Sequence, residues 1–190
     1  MKTNIREMSP SAYARFAGVL YLIITVAAIF AHMVIPEQFI VTGDAAATAA
    51  NIAADENTFR LGTVGSELII LLSEIVLAVV LYVLLKPVSK TLSLVAAVSR
   101  LAMTIIHGLN LLNYYFVFQL LNGGSLATAF SPDQINALVT LFLDAHSIGF
   151  TIGIAFLVVK PLRTAHIYSI MEGFGYRRPT KADNSPRNGI

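Results

Sequence analysis

Residues 66–110 read "SELIILLSEIVLAVVLYVLLKPVSKTLSLVAAVSRLAMTIIHGLN", two long apolar runs joined by a short basic link. A helix needs about 20 mostly apolar residues to cross a bilayer, and both runs meet that length. The link at 86–90 contains proline and is too short for anything but a tight turn. This stretch therefore predicts two antiparallel membrane-spanning helices that are neighbours, with charged residues inside both of them.

The rest of the chain extends the same pattern. Of its 190 residues 56% are hydrophobic and 13% are charged, whereas soluble proteins carry about 25% charged residues. Apolar runs predict four spans, at residues 16–35, 61–85, 91–121 and 136–159. We predict an all-α, four-span transmembrane helical bundle formed by residues 1–160. The chain has no cysteine, which excludes disulfides and thiolate metal sites.

The basic residues predict the orientation of the spans. They precede the first span, lie between the second and third, and follow the fourth, whereas Arg60 is the one basic residue between the first and second spans. Basic residues are retained on the cytoplasmic side, so both termini are predicted to be cytoplasmic. The basic tail at 161–190 is too polar to span and is predicted to be partly disordered. The predicted partner is the lipid bilayer, with no role in nucleic-acid binding.

The segment between the first two spans reads "GDAAATAANIAADEN", residues 43–57. Alanine is the strongest helix former, and Asp44 is suited to cap the free N–H groups of a helix start. We therefore predict a short Ala-rich extracytoplasmic helix, and we expect it to be solvated.

Polar residues inside the second and third spans align in depth. Counted from the turn near Val88, Glu74 and Arg100 fall at one level, because a helix rises 1.5 Å per residue. By the same count Glu67 falls at the level of His107 and Asn110. The third-span residues recur at helical spacing, so they share one face. The second and third spans are therefore predicted to present their polar faces to each other.

The fourth span carries Asp144 and His146 near the second of these levels. The two lie about 200° apart around a helix, so they face opposite ways. We expect Asp144 to face the polar residues of the other spans. His146 shares the face of Gly149 and Gly153, a spacing that lets another helix approach closely.

Polar groups exposed to lipid would be left without hydrogen-bond partners, so they are expected to face the interior. The candidate intramembrane polar cluster comprises Glu67, Glu74, Arg100, His107, Asn110, Asp144 and His146. Within it, Glu74 and Arg100 are expected to form an ion pair, and Glu67 to be neutral or bonded to His107. His32 and Tyr114 are expected at the membrane interface.

Three functions fit such a cluster. The first is a structural or small-ligand-binding role, the second a proton- or cation-coupled transporter subunit, and the third an intramembrane metal-dependent enzyme. His107, His146, Glu67 and Asp144 are suitable zinc or iron ligands by type, and which metal they would bind is left open. No H-E-x-x-H motif or nucleophile elbow is present, so no catalytic residue and no cofactor is predicted and a non-enzymatic role is favoured. Four spans are few for a transporter, and a homo-oligomer would supply more.

Several stretches together resemble a bacterial membrane-protein family known as domain-of-unknown-function 4386. They are "ARFAGVLYL" (14–22), "GDAAATAANI" (43–52), "LYVLLKPV" (81–88), "SRLAMTIIHGLNLLN" (99–113) and "LFLDAHSIGFTIGIAF" (141–156). The resemblance implies a multi-span helical bundle in the bacterial cell (inner) membrane, and it implies no activity. Family members typically continue with about two further spans, so the basic tail suggests a short form or a lost reading frame near Leu157.

Overall fold

The computed structural model describes residues 9–124 and 127–173, with side chains as far as residue 155. No strand occurs among these residues. The helices are α1 (Pro10–Ile29), α2 (Ile35–Phe39), α3 (Ala45–Ala54), α4 (Glu56–Arg60), α5 (Ser66–Leu85), α6 (Lys90–Asn110), α7 (Leu112–Leu121) and α8 (Pro132–Gly173). Two π-helical turns, Phe30–Val34 and Leu61–Gly65, join α1 to α2 and α4 to α5.

Four helical stretches of the described chain are long and apolar enough to cross a membrane: Pro10–Phe39, Glu56–Leu85, Lys90–Leu121 and Pro132–Ala155. This confirms the predicted all-α, four-span bundle. Each span turns large apolar side chains outward, among them Leu22, Leu72, Ile105 and Ile148. Apolar groups thus cover the outside while charged groups lie inside, which is the arrangement that lipid favours. The chain is a multi-pass membrane protein.

Helix α5 packs against both α1 and α6. Ser89 ends the link between α5 and α6, and its side chain caps α6 by accepting from the N–H of Leu92 at 3.3 Å. This short link leaves the two helices antiparallel and side by side, as predicted. Toward the link, α1 and α5 pack through an apolar group of Ala17, Leu20, Leu77 and Val80.

Two helices begin with the same Ser-Pro signal. Ser9 caps α1, with Pro10 in the first turn. The fourth span was predicted to start at residue 136, and the structure begins α8 earlier, at Pro132. Ser131 accepts from the N–H of Gln134 at 3.3 Å, and the Gln134 side chain accepts from the N–H of Ser131 at 2.9 Å. This reciprocal capping box satisfies two free donors, so α8 starts before residue 136.

The two π turns mark where the first two spans depart from regular helix. Pro36 has no N–H to donate to the carbonyl of His32, so the hydrogen-bond ladder is disturbed just before it. The facing turn contains Gly62, and a Cβ there would overlap the side chain of Ile35. Single π turns of this kind occur frequently at functional sites.

The Ala-rich helix α3 was expected to be solvated, and this is wrong: one of its faces packs on the bundle. Thr48, Ala49 and Ile52 are buried. Thr48 accepts from the N–H of Val41 at 2.9 Å, and Asn51 donates to the carbonyl of Phe39 at 3.2 Å. Asp44 caps the helix as predicted, accepting from the N–H of Ala47 at 2.9 Å. The helix therefore closes over one end of the bundle.

The chain divides into two compact units, Met1–Leu157 and Val158–Ile190. In the second unit, residues 158–173 are helical. The last helix thus runs beyond the predicted end of the fourth span at 159. The predicted disorder of the tail concerns residues 174–190, which lie outside the described residues.

Candidate functional site

The polar residues inside the spans form two separate groups. The deeper group, nearer the link between α5 and α6, is an ion pair between Glu74 and Arg100, both almost fully buried. The pair joins α5 to α6 at the level where the register of the hairpin placed it. Arg100 also donates to the hydroxyl of Tyr21 at 2.7 Å, and its guanidinium lies over the Tyr21 ring at 5.1 Å from the centroid. Three helices therefore meet at this pair.

The second group, here named the outer cluster, consists of His32, Glu67 and His146. The Nε2 atoms of His32 and His146 lie 3.0 Å and 3.5 Å from Oε1 of Glu67. One suitable ligand atom from each of the three residues lies within 4.8 Å of the others. Each residue comes from a different span, so the outer cluster exists only in the assembled bundle.

Position in the fold explains how each member reaches the outer cluster. His32 lies in the first π turn, and Glu67 follows the second π turn in the first turn of α5. The ring of His32 stacks on Phe150 with centroids 3.6 Å apart. The ring of His146 packs against Tyr114 at 4.0 Å. Aromatic neighbours thus fix both imidazoles.

Asn110, at the end of α6, holds His146 in place. Its amide nitrogen lies 2.8 Å from the carbonyl oxygen of His146 and 3.1 Å from the ring atom Nδ1. Its side-chain oxygen accepts from Asn113 at 2.9 Å. A Cβ at Gly149 would overlap the Asn110 side chain, so the glycine permits this contact. The G-x-x-x-G face of α8 is therefore the face that meets α6.

His107 lies beside the outer cluster without belonging to it. Its ring faces Phe150 at 5.2 Å, and a Cβ at Gly153 would overlap the same ring. The predicted bond between Glu67 and His107 is not found. The rings of His32 and His146 stand nearest to the carboxylate instead.

The outer cluster is rich in buried polar atoms that lack a hydrogen bond. They are both carboxylate oxygens of Glu67 and Nε2 of His32 and of His146, and beside the cluster both ring nitrogens of His107 also lack a partner. The two imidazole nitrogens approach Glu67 closely, but the approach does not meet hydrogen-bond geometry. Buried polar groups are nearly always paired, so such a concentration calls for a partner. In the deeper pair Arg100 donates to Glu74 and to Tyr21, and Nε of Arg100 is the buried atom there without a hydrogen bond.

A cavity of about 700 Å³ leads to the outer cluster. It begins at the loop of residues 41–45 and ends on the rings of His32 and His146. Asp44, Asp144 and Ser147 also line it, and no lysine or arginine is among the described residues that line it. Carboxylates without basic partners make such a cavity favourable for cations.

Three sequence-based placements were wrong. Asp144 is exposed on the cavity wall and is not part of the internal cluster, because the glycine face of α8 packs inward and carries His146 instead. His32 was placed at the interface, yet the helical span continues to Phe39 and leaves it about two turns inside. Tyr114 was also placed at the interface and is buried against Phe59 and His146.

The four spans and their internal polar groups agree with the result of a comparison with known protein families. A family model described as Domain of unknown function (DUF4386) matches residues 16–168. The chain belongs to the DUF4386 family. The match covers the four predicted spans, from residue 16 to residue 159, and confirms the resemblance seen in the sequence. No curated protein and no solved structure matches the chain.

Proposed function

We propose that this DUF4386 protein binds a small polar or cationic solute at the outer cluster, through a cavity open to the extracytoplasmic side of the bacterial cell membrane. The observation that carries the proposal is the cavity that ends on His32 and His146 beside the unpaired carboxylate of Glu67. A purely structural network would be expected to satisfy its own polar atoms. Among the described residues the Glu74–Arg100 pair leaves one buried atom unpaired, Nε of Arg100, whereas the outer cluster leaves four.

The two polar groups therefore have different roles. The Glu74–Arg100 pair stabilises the contact of α5 and α6, whereas the outer cluster receives the solute. A transporter subunit would need a path from the outer cluster to the other side of the membrane. Within residues 9–124 and 127–155, what lies deeper is the closed ion pair. Binding is therefore favoured over transport.

Thiol labelling tests the cavity. The chain has no native cysteine, so only the introduced cysteine can react. Ser147 lines the cavity, whereas its neighbour Ile148 points outward and is 62% exposed without lining it. A thiol reacts as the thiolate, which forms in water and not in lipid. Ser147→Cys in native membranes is expected to react with a charged, membrane-impermeant thiosulfonate. Ile148→Cys is the matched control and is expected to stay unlabelled.

An unreactive Ser147→Cys, in a protein that labels fully after denaturation, would contradict a water-filled cavity. Equal labelling of the two cysteines would also contradict it, because Ile148 would then not face lipid.

The orientation of the chain is tested in the same way. The distribution of basic residues supports cytoplasmic termini, with α3 outside and the 86–90 link inside. Ala53 on α3 is exposed, and Val88 in the link is 81% exposed. In intact cells Ala53→Cys is expected to react with an impermeant maleimide, and Val88→Cys only after permeabilisation. The reverse pattern would invert the topology and place the cavity on the cytoplasmic side.

A further inference from the structure

We infer that the solute held by the outer cluster is a divalent d-block metal ion of the zinc or ferrous class, bound by Nε2 of His32, a carboxylate oxygen of Glu67 and Nε2 of His146. This inference rests on the proposed function, because the ion reaches the site through the same cavity. Two imidazoles and one carboxylate are a donor set that suits zinc and non-haem iron. Hard cations such as Mg²⁺ and Ca²⁺ prefer all-oxygen sites.

The distances suit one shared ion. Metal–ligand bonds of about 2.0–2.2 Å at a tetrahedral angle separate neighbouring ligand atoms by roughly 3.4 Å. The two nitrogen–oxygen distances in the outer cluster are 3.0 Å and 3.5 Å. All three ligand atoms lie within 4.8 Å of one another. Small side-chain adjustments would bring them onto a single ion.

The charge of the site agrees with a cation. Glu67 is almost fully buried, and neither of its oxygens has a hydrogen-bond partner. A buried charge is stable when it is paired or coordinates a metal. A divalent ion between Glu67 and the two imidazoles would give a partner to three of the unpartnered atoms, namely one carboxylate oxygen and the two Nε2 atoms.

Asn110 supplies the outer support that a ligating histidine requires. Coordination through Nε2 places the His146 proton on Nδ1, which then needs an acceptor. The main-chain oxygen of Asn110 lies 3.4 Å from Nδ1 and can accept this proton, whereas the Asn110 amide nitrogen, a donor 3.1 Å away, would give up its contact with Nδ1. Because α6 ends at Asn110, this carbonyl is among those at a helix C-terminus that seek donors outside the helix. The Asn110 amide keeps its separate bond to the carbonyl of His146.

The cavity leaves one side of the site open. His32 and His146 line it, whereas Glu67 lies behind them and does not. Three protein ligands with an open position are the arrangement of metal sites that exchange water or a bound ligand. The ion would therefore contact the cavity and remain exchangeable from that side.

Cobalt titration tests the inference. The full-length protein, purified in detergent and treated with chelator, is expected to bind one Co²⁺ per chain with visible d–d absorption, and Zn²⁺ to abolish that absorption. His32→Gln, Glu67→Gln and His146→Asn are each expected to weaken Co²⁺ binding by at least about tenfold, the loss seen even for outer-shell partners. His107→Gln is the matched control, a neighbouring buried imidazole outside the ligand set, and is expected to bind as the wild type does.

Each variant is also made in the Ser147→Cys background, so that retained cavity labelling shows an intact bundle. Metal binding is measured in protein without the added cysteine, because a thiol beside His146 is itself a metal ligand. Failure of the wild type to bind Co²⁺ or Zn²⁺, when Ser147→Cys still labels, would overturn the metal and leave the cavity standing. Equal competition by Mg²⁺ would overturn the d-block class. Binding that survives all three ligand substitutions, or is lost in His107→Gln alone, would overturn the assigned ligands.

Discussion

Glu74→Gln is expected to lower the free energy of unfolding by about 3–5 kcal/mol, the usual cost of removing one partner of a buried ion pair. Its partner Arg100 is almost fully buried and would keep only the hydroxyl of Tyr21. A guanidinium cannot lose its charge in a protein, so it stays stranded. In Arg100→Met the remaining carboxyl can become neutral by taking up a proton, so that variant is expected to lose less.

The matched control for this prediction is Glu56→Gln. Glu56 pairs with Arg60 on the surface of α4, where the Arg60 side chain is 48% exposed. Exposed pairs of this kind contribute about 0–1 kcal/mol. Both variants lose the same charge, so a difference between their losses of stability measures the effect of burial. Thermal and denaturant unfolding in one detergent at one pH measures all three variants, and equal losses in Glu74→Gln and Glu56→Gln would contradict a buried pair.

Gly153→Ala is expected to destabilise the bundle by about 1–3 kcal/mol, the cost of overfilling a packed interior. The added methyl group would occupy the space taken by the ring of His107. Gly18→Ala in α1 is the control, since nothing lies within 4 Å of a Cβ built there. Alanine is favoured over glycine inside a helix, so the control is expected to gain up to about 1 kcal/mol.

Gly153→Ala is expected to lower the stability and Gly18→Ala to raise it, so the two variants are easily told apart. Gly149→Ala is expected to resemble Gly153→Ala, and it would also displace the Asn110 amide that holds His146. It should therefore weaken Co²⁺ binding as well as stability. Melting temperatures of the three variants in one detergent provide the measurement. A stabilising Gly153→Ala would show that α8 does not approach α6 through its glycine face.

Composition and helix register made part of this structure predictable. Four apolar runs can satisfy their backbone in lipid only as helices, so the spans followed from the sequence. The 86–90 link is short enough that counting residues placed Glu74 opposite Arg100. Ser9-Pro10 is a local signal of the same kind, since serine can cap a helix and proline fits its first turn, and α1 begins there. These features depend on local chemistry and on the fixed geometry of a single hairpin.

Features that depend on contacts between distant segments were not predictable in the same way. Periodicity gave Asp144 and His146 opposite faces of α8 but not which face is inside, and the charge of Asp144 suggested the wrong one. The glycine spacing beside His146 was the better signal, because close helix approach decides the packing. His32 was missed because its span continues through a π turn to Phe39. The docking of α3 rests on Thr48 and Asn51, whose partners lie outside their own helix.

The double-mutant cycle of Glu74→Gln and Arg100→Met tests most directly whether α5 and α6 turn their polar faces toward each other. Residues in contact couple by about 0.5–3 kcal/mol, whereas independent sites add within about 0.3–0.5 kcal/mol. The double variant is expected to recover much of the stability lost in Glu74→Gln, because no charge is left stranded. Losses that add in the double variant would mean that the two residues do not touch, which would contradict the inward-facing register of the hairpin and the position of Glu67 with it.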